Sequence, residues 1–365
     1  MIPCNDSKRL FNKYQTEFEN AALDVLRSGW YILGNNVKAF EEEFASSINA
    51  KYCISVDNGT NALKIGIQAL GIKSGDEVIV QSNTYIATVL GITSNGATPI
   101  FVEPNEYFNM NDSSIESKIT KNTKAILVTH LYGQATKLDK IIKICEKYNL
   151  YLLEDCAQAH YAKYKDRYVG TIGTLGFFSF YPTKNIGAFG DAGAIVANDD
   201  ELYSKILMLR NYGSQIRYEF ELENGHNSRM DEIQAALLRV KISHKDEITN
   251  EKITIAKKYL EGINNKFVKL PKVDKDCSSV WHLFTLIVND REKFMKHLLD
   301  NGIKSDIHYP IPPHLSKCYE SLGYKEGDFP MVEYLSKHIV DLPIFNGMKD
   351  EEINKVIEVV NSYVE

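Results

Sequence analysis

Residues 179–193 read SFYPTKNIGAFGDAG. The apolar run GFFSF (176–180) leads into this stretch and GAIVAN (193–198) leads out of it, and both read as buried strands. Most lysines sit on solvated faces, yet Lys184 stands at the end of a buried strand. It is either a surface charge in a hairpin-like loop or an amine held inside a site. Burial would lower its pKa and make it a nucleophile toward an aldehyde. Pro182 fixes its own φ and restricts Tyr181, which stiffens the loop. Gly187, Gly190 and Gly193 let the backbone turn tightly and pack close to a flat ligand.

Outward from this loop, short apolar runs alternate with longer amphipathic ones. YCISV (52–56), EVIVQ (77–81), PIFVE (99–103), AILVTH (125–130), LYLLED (150–155), FFSF (177–180) and AIVAN (194–198) read as strands. Helices are expected at 60–70, 86–94 and 138–148, and a long one at 230–258. This rhythm predicts an α/β fold, with a mostly parallel sheet covered by helices on both faces. After KLPKVDKDCSS the texture changes: a strand at 281–288, a helix near 291–301 and a last helix at 349–363 suggest a smaller α+β domain. The division expected is 1–265, an N-terminal arm with the large domain, and 266–365, the small one.

In such sheets ligands bind beyond the C-terminal ends of the strands. LYLLED ends at Asp155, and a carboxylate there is costly unless it meets a cation or strong donors; taken alone, it reads as a helix cap or a structural ion pair. YCISV leads to Asp57-Asn58-Gly59-Thr60, where a glycine and a hydroxyl open a helix. Free N–H groups and the helix dipole favour a phosphate at such a turn, although a plain threonine cap has the same look. EVIVQ leads to Tyr85, a core aromatic by default. Together these ends describe one ligand: a phosphate at Gly59-Thr60, a flat ring at Tyr85, a cationic ring nitrogen at Asp155 and an aldehyde at Lys184. Pyridoxal 5′-phosphate has all four features.

Other readings fit less well. No G-x-x-x-x-G-K-[ST] occurs, and Gly170, Gly173 and Gly176 have the wrong spacing for a dinucleotide fingerprint. The net charge of −6 gives no global basic field for nucleic acid. Six scattered cysteines without a C-x-x-C pair read as reduced thiols. His282, His308 and His314 lack a metal-ligand pattern, so no metal is expected. No apolar run reaches a membrane span of about 20 residues, and MIPCNDSKRL has no signal-peptide core. A cytoplasmic protein without membrane or nucleic-acid partners is expected.

The chain resembles the DegT-type nucleotide-sugar aminotransferases, within the aspartate aminotransferase-like (fold type I) pyridoxal-phosphate enzymes. The likeness runs through SGWYILG (28–34), FEEEFA (40–45), NGTNAL, GDEVIVQSNTYIAT (75–88), EDCAQAH, the lysine loop, NSRMDEIQAA (227–236) and GIKSDIHYPIPPH (302–314). It implies a seven-stranded, mixed, mostly parallel sheet with a smaller C-terminal domain. It further implies that Lys184 binds the cofactor as a Schiff base, Asp155 pairs with the ring nitrogen, Gln158 bonds the ring hydroxyl and Tyr85 stacks on the ring. Gly59, Thr60 and Ser179 would hold the phosphate, with Asn227 reaching the neighbouring subunit's cofactor in a homodimer with shared sites. Cys156, Ala192 and Asp57-Asn58 depart from the family pattern without removing a group the chemistry needs. Some relatives carry histidine at the lysine position and dehydrate instead, which Lys184 argues against.

WHLF (281–284) with IHYPIPPH (307–314) resembles enzymes acting on dTDP-3-keto-6-deoxyhexoses. That likeness implies amino transfer from L-glutamate to C3 of the sugar, for surface glycans such as lipopolysaccharide, with Tyr181, His308 and Tyr309 touching substrate. Amination at C4 of a UDP- or dTDP-4-keto sugar is the alternative, and a non-catalytic cofactor-binding regulator a more distant one.

Overall fold

The computed structural model describes residues 1–365. In chain order the strands are β1 (Tyr52–Val56), β2 (Glu77–Gln81), β3 (Thr98–Val102), β4 (Thr123–Thr129), β5 (Tyr151–Asp155), the short ribbon β6 (Lys163–Tyr164) and β7 (Arg167–Tyr168), β8 (Leu175–Ser179) and β9 (Gly193–Ala197). Two further strands, β10 (Ser214–Ile216) and β11 (Glu219–Phe220), form a hairpin. The last three, β12 (Val268–Lys269), β13 (Phe284–Val288) and β14 (Ile339–Leu342), make an antiparallel sheet of their own. The large sheet has seven strands in the order β1-β9-β8-β5-β4-β2-β3, all parallel except β9.

The helices are α1 (Ser7–Lys13), α2 (Gln15–Ser28), α3 (Asn35–Ser47), α4 (Gly59–Ala69), α5 (Ile86–Thr93), α6 (Asp139–Tyr148), α7 (Asp200–Leu209), α8 (Glu232–Ser243), α9 (Lys245–Gly262), α10 (Arg291–Asp300), α11 (Pro330–His338) and α12 (Asp350–Ser362). None is long and apolar enough to cross a membrane.

Apolar residues on both faces of each strand explain why the sheet is covered twice. Ile79, Ile126, Val128, Ala194 and Val196 pack into one core with α3 and α8. Their strand neighbours Val78, Val80, Leu127, Ile195 and Ala197 pack into another with α4 and α5. Gly66 lets α4 lie flat on the sheet, since a Cβ there would stand 2.3 Å from the Phe177 ring. A third core forms around β13 and β14, and Ile2, Ile255 and Tyr259 join it from the N-terminus and from α9.

Two local expectations are corrected. The helix expected at 230–258 is two helices, broken at His244, whose backbone (φ −105°, ψ 13°) leaves the helical range. Its ring stacks on Tyr14 at 4.0 Å and bonds Glu17 at 2.9 Å, so tertiary contacts set the break where no glycine or proline marks it. The strand expected from 281 begins at Phe284, because Trp281 is left-handed (φ 51°).

Two carboxylates fasten α3, one to α8 and one to the edge of the sheet. Glu232, 2% exposed, accepts from the N–H groups of Gly34, Asn36 and Val37, each at 2.8 Å, and so caps α3. Glu41 accepts from Ser55 N and Oγ and pairs with Arg210, which fixes the end of β1. Glu232→Ala should therefore lower unfolding free energy by about 2–4 kcal/mol, because two buried backbone donors and one partly buried one lose their acceptor. Urea unfolding checks this; a loss below about 0.5 kcal/mol would mean the donors find other partners.

Candidate active site

The C-terminal ends of β1, β2, β4, β5 and β8 open into one cavity of about 410 Å³. Its walls carry Gly59, Thr60, Tyr85, Asp155, Gln158, Ser179, Tyr181, Lys184, His308 and Tyr309. Every site residue expected from the sequence is there except Asn227. That side chain is exposed and its backbone bridges to Asn211, outside this chain's own cavity. A larger, open depression of about 810 Å³ lies between α2, α3 and α8, lined by Glu17, Asp24, Glu42, Glu43 and Arg239, and includes none of the strand-end groups.

Lys184 lies five residues past the end of β8, in the loop that leads to β9. Burial lowers its amine to about 8, against the pull of Asp155, and the amine makes no hydrogen bond. Behind it, Asn185 donates to the Val280 carbonyl at 2.8 Å and accepts from the buried Lys252 amine at 3.1 Å, which immobilises the loop. Asp155 ends β5, 4% exposed. It accepts from Thr88 Oγ1 at 2.7 Å and from Ala157 N at 3.1 Å. Burial raises its pKa, while Thr88, Ala157 and Lys184 oppose the rise.

The hydroxyl chain behind Asp155 escaped sequence reading. Thr129 Oγ1 lies 2.9 Å from Thr84 Oγ1, which lies 2.6 Å from Thr88 Oγ1. Thr129 ends β4, Thr84 lies in the β2–α5 turn and Thr88 in the first turn of α5, so the sheet order brings Thr129 to the other two. Gln158 accepts from Tyr132 N at 2.7 Å and donates to the Tyr309 hydroxyl at 3.1 Å. Tyr85, half exposed, faces the Tyr309 ring at 5.0 Å. His314 is elsewhere, paired with Glu333 at 3.2 Å, while His282 and His308 face the cavity.

At the other end, Asn58 caps α4 by accepting from Asn61 N at 2.8 Å, leaving the Gly59 and Thr60 N–H groups free. This turn is built for close approach. A Cβ on Gly59 would stand 2.6 Å from Ser179 Cβ, and one on Gly193 would stand 2.4 Å from the Asn58 carbonyl. The donor set is therefore an unpartnered amine, a buried acid, two free backbone donors beside a serine hydroxyl, and an aromatic rim. It suits a phosphorylated, cationic aromatic aldehyde.

Comparison with known proteins shows the family and the fold. The chain is 50% identical over 364 residues to the dTDP-3-amino-3,6-dideoxy-alpha-D-galactopyranose transaminase of Aneurinibacillus thermoaerophilus, covering 100% of this chain and 99% of that one. The crystal structure of S. venezuelae DesV in complex with a ketimine intermediate superposes with a TM-score of 0.97 at 38% identity, over 100% and 99% of the two chains. NtdA from Bacillus subtilis, solved with bound cofactor PMP, gives a TM-score of 0.90 at 29% identity, over 97% of this chain and 83% of that one. The large mixed sheet with its smaller companion is the aspartate aminotransferase-like fold type I. Residues 12–361 match the DegT/DnrJ/EryC1/StrS aminotransferase profile, and the chain is a member of that family.

Proposed function

We propose that the chain transfers the amino group of L-glutamate to C3 of a dTDP-3-keto-6-deoxyhexose, giving a dTDP-3-amino-3,6-dideoxyhexose for surface glycans such as lipopolysaccharide. The observation that carries this reading is the convergence of Lys184 and Asp155 on one cavity, in a chain half identical along its whole length to a dTDP-3-amino sugar transaminase.

Pyridoxal 5′-phosphate is the cofactor that the donor set fits. Gly59, Thr60 and Ser179 hold its phosphate, Asp155 its ring nitrogen, Gln158 its ring hydroxyl and Lys184 its aldehyde, with Tyr85 over the ring. Bound there, it supplies the electron sink for the donor's α-carbon. Lys184 Nζ moves the proton: it takes one from the donor's Cα and later returns it, as base and then acid. Its lowered pKa, about 8, keeps enough neutral amine near neutrality for that role. Asp155 stays ionised opposite a ring cation. Tyr181, His308 and Tyr309 contact substrate at the mouth.

The working unit is a homodimer in the cytoplasm, with Asn227 reaching the partner's phosphate. Support comes from the β10–β11 hairpin, which leaves Ile216, Tyr218 and Phe220 57%, 73% and 68% exposed on a surface that a second copy would cover.

Steady-state assays with glutamate and matched 3-keto and 4-keto nucleotide sugars test the reading. The dTDP-3-keto-6-deoxyhexose should be preferred by at least about 10²-fold in kcat/KM. Preference for a 4-keto sugar would move the chemistry to C4. Cofactor binding without turnover on either sugar would leave a regulator.

A further inference from the structure

Asp341 belongs to β14, in the small sheet, and is 2% exposed. One of its oxygens accepts from Thr285 Oγ1 at 2.5 Å, and the other meets His308 Nδ1 at 2.6 Å. The backbone is fastened as well. Asp341 N donates to the Asp306 carbonyl at 2.9 Å, and the Tyr132 hydroxyl donates to the His308 carbonyl. The imidazole is thereby held with Nδ1 satisfied, while Nε2 makes no hydrogen bond and the ring lines the cavity.

An amino-acid donor must bring a carboxylate into this cavity. Its charged or titratable walls are Asp155, Asp191, Lys184, His282, His308 and the phenols. The two aspartates repel an anion. Lys184 is engaged in the chemistry and must be neutral to act as a base. Burial and the neighbouring Lys184 and Lys252 amines hold His282 in its neutral form, well below the ordinary imidazole range. His308 is what remains. The groups facing it are Asp341, Asp306, Lys184, His282 and the Tyr309 ring at 5.2 Å. Burial pushes its pKa down, but the bond to Asp341 and the field of Asp341 and Asp306 outweigh this, so the net shift is upward. A fixed imidazolium with a free N–H is a carboxylate receptor.

We propose that His308 is the anchor for a carboxylate of the amino donor, and that Asp341 is the positioning residue that orients it and holds its charge. The proposal rests on the aminotransferase reading and extends it: donor and sugar take turns in one cavity, and this pair serves the donor's turn. Raising the folded pKa keeps the cation below that pKa and loses it above, so donor affinity should fall as pH rises through the raised value.

The test uses the cofactor-loaded protein. Glutarate, which has the carboxylates of glutamate but no amine, is titrated calorimetrically from about pH 6 to about pH 9. Cofactor absorbance separately follows the glutamate half-reaction and the keto-sugar half-reaction after rapid mixing. Asp341→Asn should weaken glutarate by at least about tenfold near neutrality and move the pH midpoint of its binding to lower pH. The glutamate half-reaction should lose more than the sugar half-reaction by a comparable factor. His308→Gln, which keeps a donor but no charge, should abolish the pH dependence, and it serves if Asp341→Asn fails to fold. Unchanged glutarate affinity in His308→Gln, equal losses in the two half-reactions, or no glutarate binding by the wild type would overturn the proposal. A wild type that binds glutarate pH-dependently yet takes no amino group from glutamate would instead refute the transaminase reading alone.

Discussion

Lys184→Arg should lower turnover by about 10³–10⁴-fold, with the fold intact. Arginine keeps the length and the charge but never becomes neutral in the working pH range. It can neither bind an aldehyde covalently nor take a proton. The native amine is set up for both tasks: it has no hydrogen-bond partner, and burial lowers it to about 8. The rate of the glutamate half-reaction in the wild type should accordingly climb with pH toward a plateau above about 8. Borohydride should fix the cofactor to the native chain at Lys184, located by peptide mass, and leave the variant unlabelled. Turnover in the variant within about tenfold of wild type would remove this amine from the mechanism. A thermal melt of the cofactor-free variant separates that result from misfolding. Because a buried amine is disfavoured in its charged form, replacing Lys184 by methionine should not destabilise the cofactor-free chain.

The sheet and its ligand-bearing end were legible because their signals are local. A strand buried on both faces is written as an unbroken apolar run, and several runs here end in polar groups, Asp155, Ser179 and the Asn58-Gly59-Thr60 turn, which point to one site only when taken together. What escaped reading is held by contacts distant along the chain. The break at His244 depends on Tyr14 and Glu17. The hydroxyl chain behind Asp155 needs β2 and β4 as neighbours in the sheet. Asp341 did leave a trace, an acid inside the apolar strand IVDL. The argument that singled out Asp155 applies equally to it: a carboxylate in a buried strand needs a cation or strong donors. Its donor, Thr285, and its cation, His308, lie in separate segments, so the residue could be suspected from the sequence but its partners could not.

Asp155→Asn should act in opposite directions on activity and on the stability of the cofactor-free protein. For activity, the amide replaces an acceptor anion with a donor at the place where a ring cation sits. The expected loss is about 10²–10³-fold, the scale of removing one preorganised electrostatic contact. For stability, the sign follows from burial. The folded-state pKa of Asp155 lies above its usual value, so the ionised form is penalised in the folded chain and stability declines as pH rises through that pKa. An amide of the same shape escapes the penalty: its one oxygen can still accept from Ala157 N, and its NH2 can donate to Thr88 Oγ1, which then turns its own hydrogen toward Thr84. The cofactor-free variant should therefore melt higher than the cofactor-free wild type near neutrality, with the gap closing toward about pH 4, where the native carboxyl is also neutral. Adding pyridoxal phosphate should reverse the order. The cation offsets the desolvated charge only in the wild type, which gains the larger increase in Tm by mass action. A variant that melts lower than wild type without cofactor would show that Thr88 and Ala157 already stabilise the carboxylate fully. A cofactor-induced Tm increase equal in both proteins would show that the ring nitrogen does not meet Asp155.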